Sequence, residues 1–405
     1  MASYKNYAVR DRHLPYFSCL MLTGVLIIAP ITSARAEAVP PFIHPGLLHT
    51  RKDFERMHTK VTQGAQPYID GWQKLRENKH ASLDWPPNPQ AVIYRGKDGI
   101  HTENYGTLFN DAAAAYALAL RWKISGDDAY ARKAIGILNA WTTTLTAIQG
   151  GSDRYLASGL YGYQFANAAE ILRNSDLWKP KDFHDFQTMM LTVFYPMNQD
   201  FLDHHNGAKI DHYWANWDLA NMDSMLAIGV LTDRRDIYNE AITYFKQGQG
   251  NGSVEHLVWK LYGSSLGQVQ ESGRDQAHSL LDIALLGAFC QMAWSQGDDL
   301  YGYDHNRALL GAEYVAKYNL LHDVPYTSYT NSDVTQPVIS EKFRGQMRPI
   351  WALFYNHYVV LKGITSPYVE AFAKKASPEG GGGDYGPNSG GYDQLGYGTL
   401  VYTLK

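Results

Sequence analysis

The sequence has few of the features that indicate a function by themselves, and each feature that it lacks excludes a class of protein. It contains two cysteines, Cys19 and Cys290, which are too few for a disulfide framework. It has no run of basic residues and a formal net charge of −4, so its charge does not favour nucleic acid as a partner. A phosphate-binding loop, a dinucleotide-binding glycine pattern and a Gly-x-Ser-x-Gly elbow are all absent from the sequence. The fold must therefore be held by packing, and its chemistry must come from other residues.

The N-terminal residues have the pattern of a secretory signal peptide, which we place at residues 1–36. A basic region precedes the apolar stretch 17–31, which is short for a membrane span and contains Pro30. Small-x-small sites allow cleavage after residue 36 or 38. We expect export to the periplasm or the medium, leaving a soluble monomer over residues 39–405 with no disulfide and no membrane contact.

Apolar residues recur at spacings of three and four along most of the remaining chain, which predicts helices almost throughout. The predicted helices are 48–64, 67–78, 110–124, 129–145, 159–174, 182–202, 217–231, 236–246, 275–294, 306–320 and 349–362. Some, such as 217–231, are apolar on nearly every face and must be surrounded, whereas 236–246 has a polar face. This alternation predicts an all-α fold, an α/α toroid of about six to seven helix pairs in one domain. The segment 377–402, rich in glycine and tyrosine, predicts a C-terminal flap that folds back on it.

Polar and aromatic side chains crowd at four connections into predicted helices. The clusters are 211–218, 271–278, 301–307 and 344–358. The cluster 271–278 combines a carboxylate, a guanidinium, an amide and an imidazole where a helix begins, and a helix N-terminus favours anions. Each cluster alone also fits helix capping or a core patch. Alternate connections of a toroid gather at one end, so the four together predict a common cleft. The histidines at 204, 205 and 212 fit no metal-binding spacing, and we expect no metal.

Several motifs resemble the alginate-lyase superfamily of helical-toroid polysaccharide lyases, most closely its branch acting on polymannuronate and glucuronan. The motifs are Asn-Trp-Asp-Leu-Ala-Asn-Met at 216–222, Gln-Glu-Ser-Gly-Arg-Asp-Gln-Ala-His at 270–278, Asp-Leu-Tyr-Gly-Tyr-Asp-His-Asn-Arg at 299–307, and Arg-Pro-Ile with Tyr-Asn-His-Tyr at 348–358. The resemblance covers about residues 42–402. Two features differ from the family pattern: the adjacent Asn-His pair of several alginate lyases is absent, and no tyrosine follows His278 at the spacing of related lyases.

The resemblance implies cleavage of a β-1,4-linked polyuronate by β-elimination, with an anionic polysaccharide as partner and no cofactor. It implies the catalytic residues Asn216, Arg274, His278 and Tyr303. It implies substrate contacts from His212, Trp214, Trp217, Gln276, Arg348, Tyr355 and His357. Asn216, Arg274 and Gln276 can neutralise the substrate carboxylate, and His278 can act as base or charge neutraliser. For the catalytic tyrosine, Tyr314 and Tyr355 are alternatives to Tyr303.

Two other functions fit the same residues. An α/α-barrel glycoside hydrolase would pair Asp223 or Glu271 with Asp275 as acid and base. An exported polysaccharide-binding protein would bind without cleaving. A lyase leaves a 4,5-unsaturated uronic end that absorbs ultraviolet light, so the products distinguish these functions. The preferred uronic acid, and endo or exo cleavage, stay open at this point.

Overall fold

The computed structural model describes residues 40–384 and 391–405, and the predicted signal peptide lies outside them. The α-helices in these residues are α1 Arg51–Thr62, α2 Tyr68–Glu77, α3 Gly106–Ser125, α4 Asp128–Thr144, α5 Arg154–Leu172, α6 Pro180–Met189, α7 Tyr195–His204, α8 Ala215–Leu231, α9 Arg235–Gln247, α10 Val254–Leu257, α11 Gln276–Ser295, α12 Tyr303–Asn319, α13 Trp351–Phe354, α14 Pro367–Ala376 and α15 Gly398–Val401. The strands form three two-stranded pairs: β1 Val92–Tyr94 parallel to β2 Ala147–Gln149, β3 Val258–Tyr262 antiparallel to β4 Leu266–Val269, and β5 Tyr329–Thr330 antiparallel to β6 Thr335–Gln336. The fold is the predicted all-α toroid.

Consecutive helices pack as pairs around a ring. The pairs are α1 with α2, α3 with α4, α5 with α7, α8 with α9, α11 with α12, and α13 with α14, and α6 packs on α4. Within the ring, α5 contacts α3 and α8, and α8 contacts α11. Because each inner helix is followed by an outer helix that returns the chain, α3, α5, α8 and α11 run in the same direction. Their N-termini therefore gather at one end of the toroid.

The inner helices are buried on all sides, as their apolar sequences predict. Their close approach depends on small residues: a Cβ at Gly159 of α5 would lie 2.7 Å from the backbone carbon of Ala220 in α8. The length and composition of α11 would also suit a membrane span, but 83% of its most apolar window is buried inside the protein. It is therefore a core helix, and it contains the free, buried Cys290.

The C-terminal segment closes the ring. Helix α15 packs on α1, α2 and α13, and Leu400 lies against Gly71 of α2. Upstream, the carbonyls of Tyr392 and Asp393 accept hydrogen bonds from Gln164 and Tyr163 of α5. Of the predicted flap at 377–402, residues 385–390 lie outside the described part of the chain. The described remainder is mostly buried, so it forms part of the wall.

Two predicted helices are interrupted in the structure. The helix predicted at 182–202 contains a π-helical turn, Met190–Phe194, between α6 and α7. Pro196 follows this turn and has no N–H to bond the carbonyl four residues back, which accounts for the wider turn. The helix predicted at 349–362 is α13 followed by a π-helical stretch, Tyr355–Leu361.

The hairpin of β3 and β4 was not predicted, and it positions the start of α11. It packs on α12, where a Cβ at Gly311 would lie 2.8 Å from Val258. Strand β4 leads directly into a 3-10 turn, Gln270–Gly273, and then into α11. The hairpin therefore fixes where this turn meets α8.

Candidate active site

The first turn of α8 and the turn before α11 meet at the buried carboxylate of Glu271. Its Oε1 accepts hydrogen bonds from the backbone N–H of Asn216 at 3.1 Å and from Asn216 Nδ2 at 2.5 Å. Its Oε2 accepts a hydrogen bond from Arg274 Nη1 at 2.6 Å. Glu271 is fully buried and Asn216 nearly so, whereas the Arg274 side chain is 26% exposed. Two predicted catalytic residues are therefore brought together by a third that was not predicted for this role.

His278 is held on the next turn by Asp275, the N-cap of α11. Asp275 Oδ1 accepts a hydrogen bond from the His278 backbone N–H at 2.9 Å, and Oδ2 lies 2.8 Å from His278 Nδ1. Burial acts to raise the pKa of Asp275, but its interactions with His278, first of all the side-chain hydrogen bond, outweigh burial and hold that pKa below its usual value. An ionised Asp275 accepts the Nδ1 proton, which leaves Nε2 of a neutral, half-buried imidazole as an acceptor.

Trp214 lies beside this cluster and Trp217 does not. The Arg274 guanidinium carbon is 4.9 Å from the centre of the half-buried Trp214 ring, within range of a cation–π contact. Trp217 is a buried ring packed against Phe201 and Tyr213. Its burial contradicts the predicted sugar stacking on Trp217, and stacking on Trp214 stays a prediction.

Gln276 is close in sequence to the cluster, but its side chain is already fully engaged. Its Nε2 donates to the carbonyls of Ser272 and Ser340, and its Oε1 accepts from Asn319 Nδ2 at 3.0 Å. The side chain is buried, so the predicted contact with a substrate carboxylate is contradicted. Its role is to hold the loop around residue 340 against the start of α11.

His212 and Arg348 both hold loops near helix starts. His212 is exposed and its Nδ1 lies 2.7 Å from Asp333 Oδ2, in the segment that carries β5 and β6. Arg348 is buried three residues before α13, where Nη1 donates to Gln394 Oε1 at 3.0 Å and lies 3.4 Å from Asp393 Oδ2. The substrate contacts predicted for these two residues stay predictions.

A second polar cluster stands where α3 and α5 begin, and the sequence analysis missed it. Arg95 Nη1 donates to the hydroxyl of Tyr161 at 3.0 Å, and its guanidinium carbon is 4.8 Å from the centre of the Tyr105 ring. Pairing of β1 with β2 brings Arg95 to this place, next to the start of α5. Tyr161 is buried, whereas Tyr105 and Arg95 are half-buried. The signal available in the sequence was that Arg95 and Tyr105 precede an inner helix.

Comparison with known proteins decides the family. The model of the alginate lyase family matches residues 60–323 of this chain. The chain belongs to the alginate lyase family. It is a polysaccharide lyase, as the resemblance of its motifs implied. The matched residues include the clusters of α8 and α11 and end before Arg348.

Solved alginate lyases share the fold at low sequence identity. The alginate lyase from Bacteroides ovatus is 13% identical, with a TM-score of 0.59 over 90% of this chain and 100% of that one. Alginate lyase A1-III from Sphingomonas species A1 is 14% identical, with a TM-score of 0.55 over 87% of this chain and 95% of that one. A variant of A1-III complexed with a tetrasaccharide is 13% identical, with a TM-score of 0.53 over 87% of this chain and 94% of that one. No curated protein sequence matches the chain.

The structure contradicts the placement of Tyr303 in the active site of this alginate-lyase family member. Helix α12 runs back along α11, because Asn319 near its end bonds Gln276 at the start of α11. At its other end the Tyr303 ring is 6.1 Å from Phe245, which stacks at 5.0 Å on Phe289 of α11. Phe289 is eleven residues beyond His278, or about 16 Å along the helix axis. Tyr303 and His278 therefore lie at opposite ends of α11.

His357 and Tyr355 are also far from the cluster, which corrects two predicted substrate contacts. The His357 ring stacks at 3.7 Å on Tyr301 and lies 4.9 Å from Trp294, in the last turn of α11. Tyr355 lines a cleft with Lys374 near the C-terminus. The alternative Tyr314 is a buried ring whose hydroxyl donates to the Pro325 carbonyl at 2.9 Å. The catalytic tyrosine must be sought elsewhere.

The carboxylates that a hydrolase would use are engaged or inaccessible. Glu271 accepts three hydrogen bonds, and Asp275 caps a helix while holding His278. Asp223 is fully buried in α8, and burial raises its pKa well above the usual range. Asp282 is also fully buried, and its pKa is raised by burial and then by the charge of Glu271. The hydrolase alternative is wrong, in agreement with membership of a lyase family.

Proposed function

We propose that the protein cleaves alginate, or a closely related β-1,4-linked polyuronate, by β-elimination at the N-terminal end of the inner helices. The observation that carries the proposal is the Asn216–Glu271–Arg274 cluster beside the Asp275–His278 pair on the scaffold of the alginate lyase family. It combines donors for a carboxylate with an oriented imidazole. These are the two kinds of group that elimination from a uronate requires.

The reaction removes the proton on C5 and breaks the bond from C4 to the glycosidic oxygen. The C5 proton is weakly acidic because the neighbouring carboxylate is negative, so this carboxylate must be neutralised before the proton can leave. The C5–H electron pair becomes the C4–C5 double bond, and the departing oxygen takes a proton. The products are a new reducing end and a 4,5-unsaturated uronic end.

In this proposal the guanidinium of Arg274 binds the substrate carboxylate, assisted by the Asn216 amide hydrogen that Glu271 does not accept, and His278 takes the C5 proton. The charge of Arg274 is shared with Glu271, but its partly exposed guanidinium keeps further N–H groups for a ligand. Asp275 occupies His278 Nδ1, so Nε2 is the nitrogen that accepts the proton, and the resulting imidazolium is stabilised by the carboxylate. Trp214 offers a ring face beside Arg274 for a sugar.

For protonation of the departing oxygen we propose Tyr105 in place of Tyr303. Tyr105 is half-buried, stands at the start of an inner helix and lies against the guanidinium of Arg95. A phenol at this place can act as a general acid and donate its proton to the departing oxygen. We expect Tyr105→Phe to abolish elimination and Tyr303→Phe, the matched control on the other face, to retain it. The reverse result would return the role to Tyr303.

The preference for polymannuronate or glucuronan is part of the proposal and rests on the resemblance of the sequence motifs. Purified protein is incubated with polymannuronate, polyguluronate and glucuronan, and the ultraviolet absorbance of unsaturated ends is followed. We expect absorbance to rise fastest with polymannuronate or glucuronan. A wild-type protein that releases no unsaturated ends from any of the three would refute the proposed function. Export to the periplasm or the medium remains part of the proposal, and sequencing the N-terminus of the mature protein tests it.

A further inference from the structure

Glu271 is the common acceptor for the two groups proposed to bind the substrate carboxylate. Its Oε1 accepts hydrogen bonds from the backbone N–H and the side-chain amide of Asn216, and its Oε2 accepts one from the guanidinium of Arg274. Asn216 and Arg274 belong to different inner-helix starts, 58 residues apart in sequence. Arg274 also contacts the ring of Trp214, but Glu271 is the group that joins the amide to the guanidinium.

We propose that Glu271 is a positioning residue that orients Asn216 and Arg274 toward the substrate carboxylate. Asp282, as a neutral acid, donates a hydrogen bond to Glu271 and so helps to hold it. The inference rests on the proposed elimination and adds two residues to it. Neither residue touches the sugar, because both are fully buried. Each acts through the groups that it holds.

The contacts of Asp282 require it to carry a proton. Its carboxyl lies close enough to that of Glu271 for a hydrogen bond, and two carboxyl groups can form such a bond only if one of them is protonated. Within residues 40–384 and 391–405, no N–H or hydroxyl group donates to either Asp282 oxygen. Glu271, by contrast, accepts three donors, which stabilise its charged form. The proton therefore belongs on Asp282.

The charge balance of the site leads to the same assignment. Glu271 and Asp275 supply two negative charges and Arg274 supplies one positive charge at the place where a polyanion must bind. A third buried anion at Asp282 would repel the substrate and would be costly to bury without a partner. A neutral Asp282 avoids both effects. It also gives Glu271 a further hydrogen-bond donor beside Asn216 and Arg274.

The experiment measures kcat and KM on the preferred polyuronate for four variants. Glu271→Gln places an N–H group against Asn216 or Arg274, and a small misplacement of reacting groups costs about a hundredfold, so we expect kcat to fall by about that factor. Asp282→Leu removes the donor, and loss of such a supporting contact should lower kcat about 10-fold to 100-fold. Asp282→Asn keeps a neutral donor and should recover most of that loss. Asp223→Asn, at a buried acid of α8 whose oxygens accept no hydrogen bond from the described residues, is the matched control and should leave kcat unchanged.

A double-mutant cycle separates positioning from general stability. If Glu271 acts through Asn216, Glu271→Gln should cost far less in an Asn216→Ala background than in wild type. Full additivity would overturn the inference, and so would an Asp282→Asn variant as impaired as Asp282→Leu. Melting temperatures of all variants show whether a loss of activity is merely a loss of fold.

Two measurements do not depend on turnover and keep this inference distinct from the proposed function. The infrared band of a protonated carboxylic acid should be present in wild type at neutral pH and should lose intensity in Asp282→Asn. A crystal structure of Glu271→Gln should show the Asn216 amide or the Arg274 guanidinium displaced. An unchanged band and unchanged side chains would refute the positioning role even in an active enzyme. Absence of elimination by wild type, with both measurements as expected, would refute only the proposed reaction.

Discussion

The substitution Asp275→Asn separates the two tasks of this residue and so tests the proposed base. Asp275 Oδ1 caps α11 through the His278 backbone N–H, and Oδ2 holds the His278 side chain. Asparagine is about as good an N-cap as aspartate, so the helix should lose little stability. The carboxylate charge that stabilises an imidazolium on His278 is lost. The variant therefore removes the charge behind the imidazole while it leaves the fold in place.

The expected loss follows from these contacts. General-base catalysis contributes about 10²-fold to 10⁴-fold, and a base that keeps its place but loses its charged partner should forfeit a large part of this. We expect kcat to fall about 30-fold to 1000-fold in the ultraviolet assay, while the melting temperature at pH 7 changes little. Asp275→Ala is the comparison, since it also loses the cap at a cost of about 1 kcal/mol in the free energy of unfolding.

The pH dependence of stability gives an independent check. The pKa of Asp275 is lowered in the folded protein, so its contribution is fully present above the unfolded pKa of about 3.9 and is lost as pH falls through the folded pKa. Asp275→Asn should remove this part of the acid sensitivity. A variant with kcat within threefold of wild type and the wild-type acid transition would refute both the orientation of His278 and its role as base.

Four further predictions follow from individual contacts. Arg274→Lys should lower kcat/KM at least about 100-fold in the ultraviolet assay, because an ammonium cannot bridge Glu271 and a carboxylate as a guanidinium does; a near-normal value would exclude Arg274 from the site. Tyr303→Phe should keep wild-type turnover, and a loss would contradict its position at the far end of α11. Burial raises the pKa of Glu379 to about 7, so stability falls as pH rises from about 4.5 to about 7; Glu379→Gln should melt a few degrees above wild type at pH 8 and no higher at pH 4. Burial lowers the pKa of His357 to about 4, so stability is lost as pH falls below about 6.5; His357→Phe should show a flatter decline in melting temperature between pH 6.5 and 4, with turnover unchanged.

The fold could be predicted well because its signals are local. Helices such as α8 and α11 are apolar on every face, and this property alone requires an inner layer. What could not be predicted depends on contacts between distant segments. The pairing of β1 with β2, which brings Arg95 to Tyr161, joins short strands 55 residues apart.

The sequence predicts which residues belong to the site better than it predicts their hydrogen-bond partners. Asn216, Arg274 and His278 stood out because polar groups preceded buried helices. Glu271 was considered only as an acid for hydrolysis, because its donors come from a helix 55 residues earlier. The sequence also marks Asp282 as a candidate for the site, because it is a carboxylate in an apolar helix, four residues after His278 on the same face.

Tyr303 was misplaced because of the end of the toroid that its connection occupies. A connection into an inner helix lies at one end, and a connection from an inner helix to its outer partner lies at the other. The cluster at 301–307 leads from inner α11 to outer α12 and is therefore on the far face, whereas 211–218 and 271–278 lead into inner helices. Arg348 lies just before α13 begins. His357 lies about two turns after the start of α13, and its ring contacts Trp294 in the last turn of α11. The same rule assigns Arg95 and Tyr105, which precede inner α3, to the face of His278, and this is why their phenol and guanidinium belong in the proposed reaction.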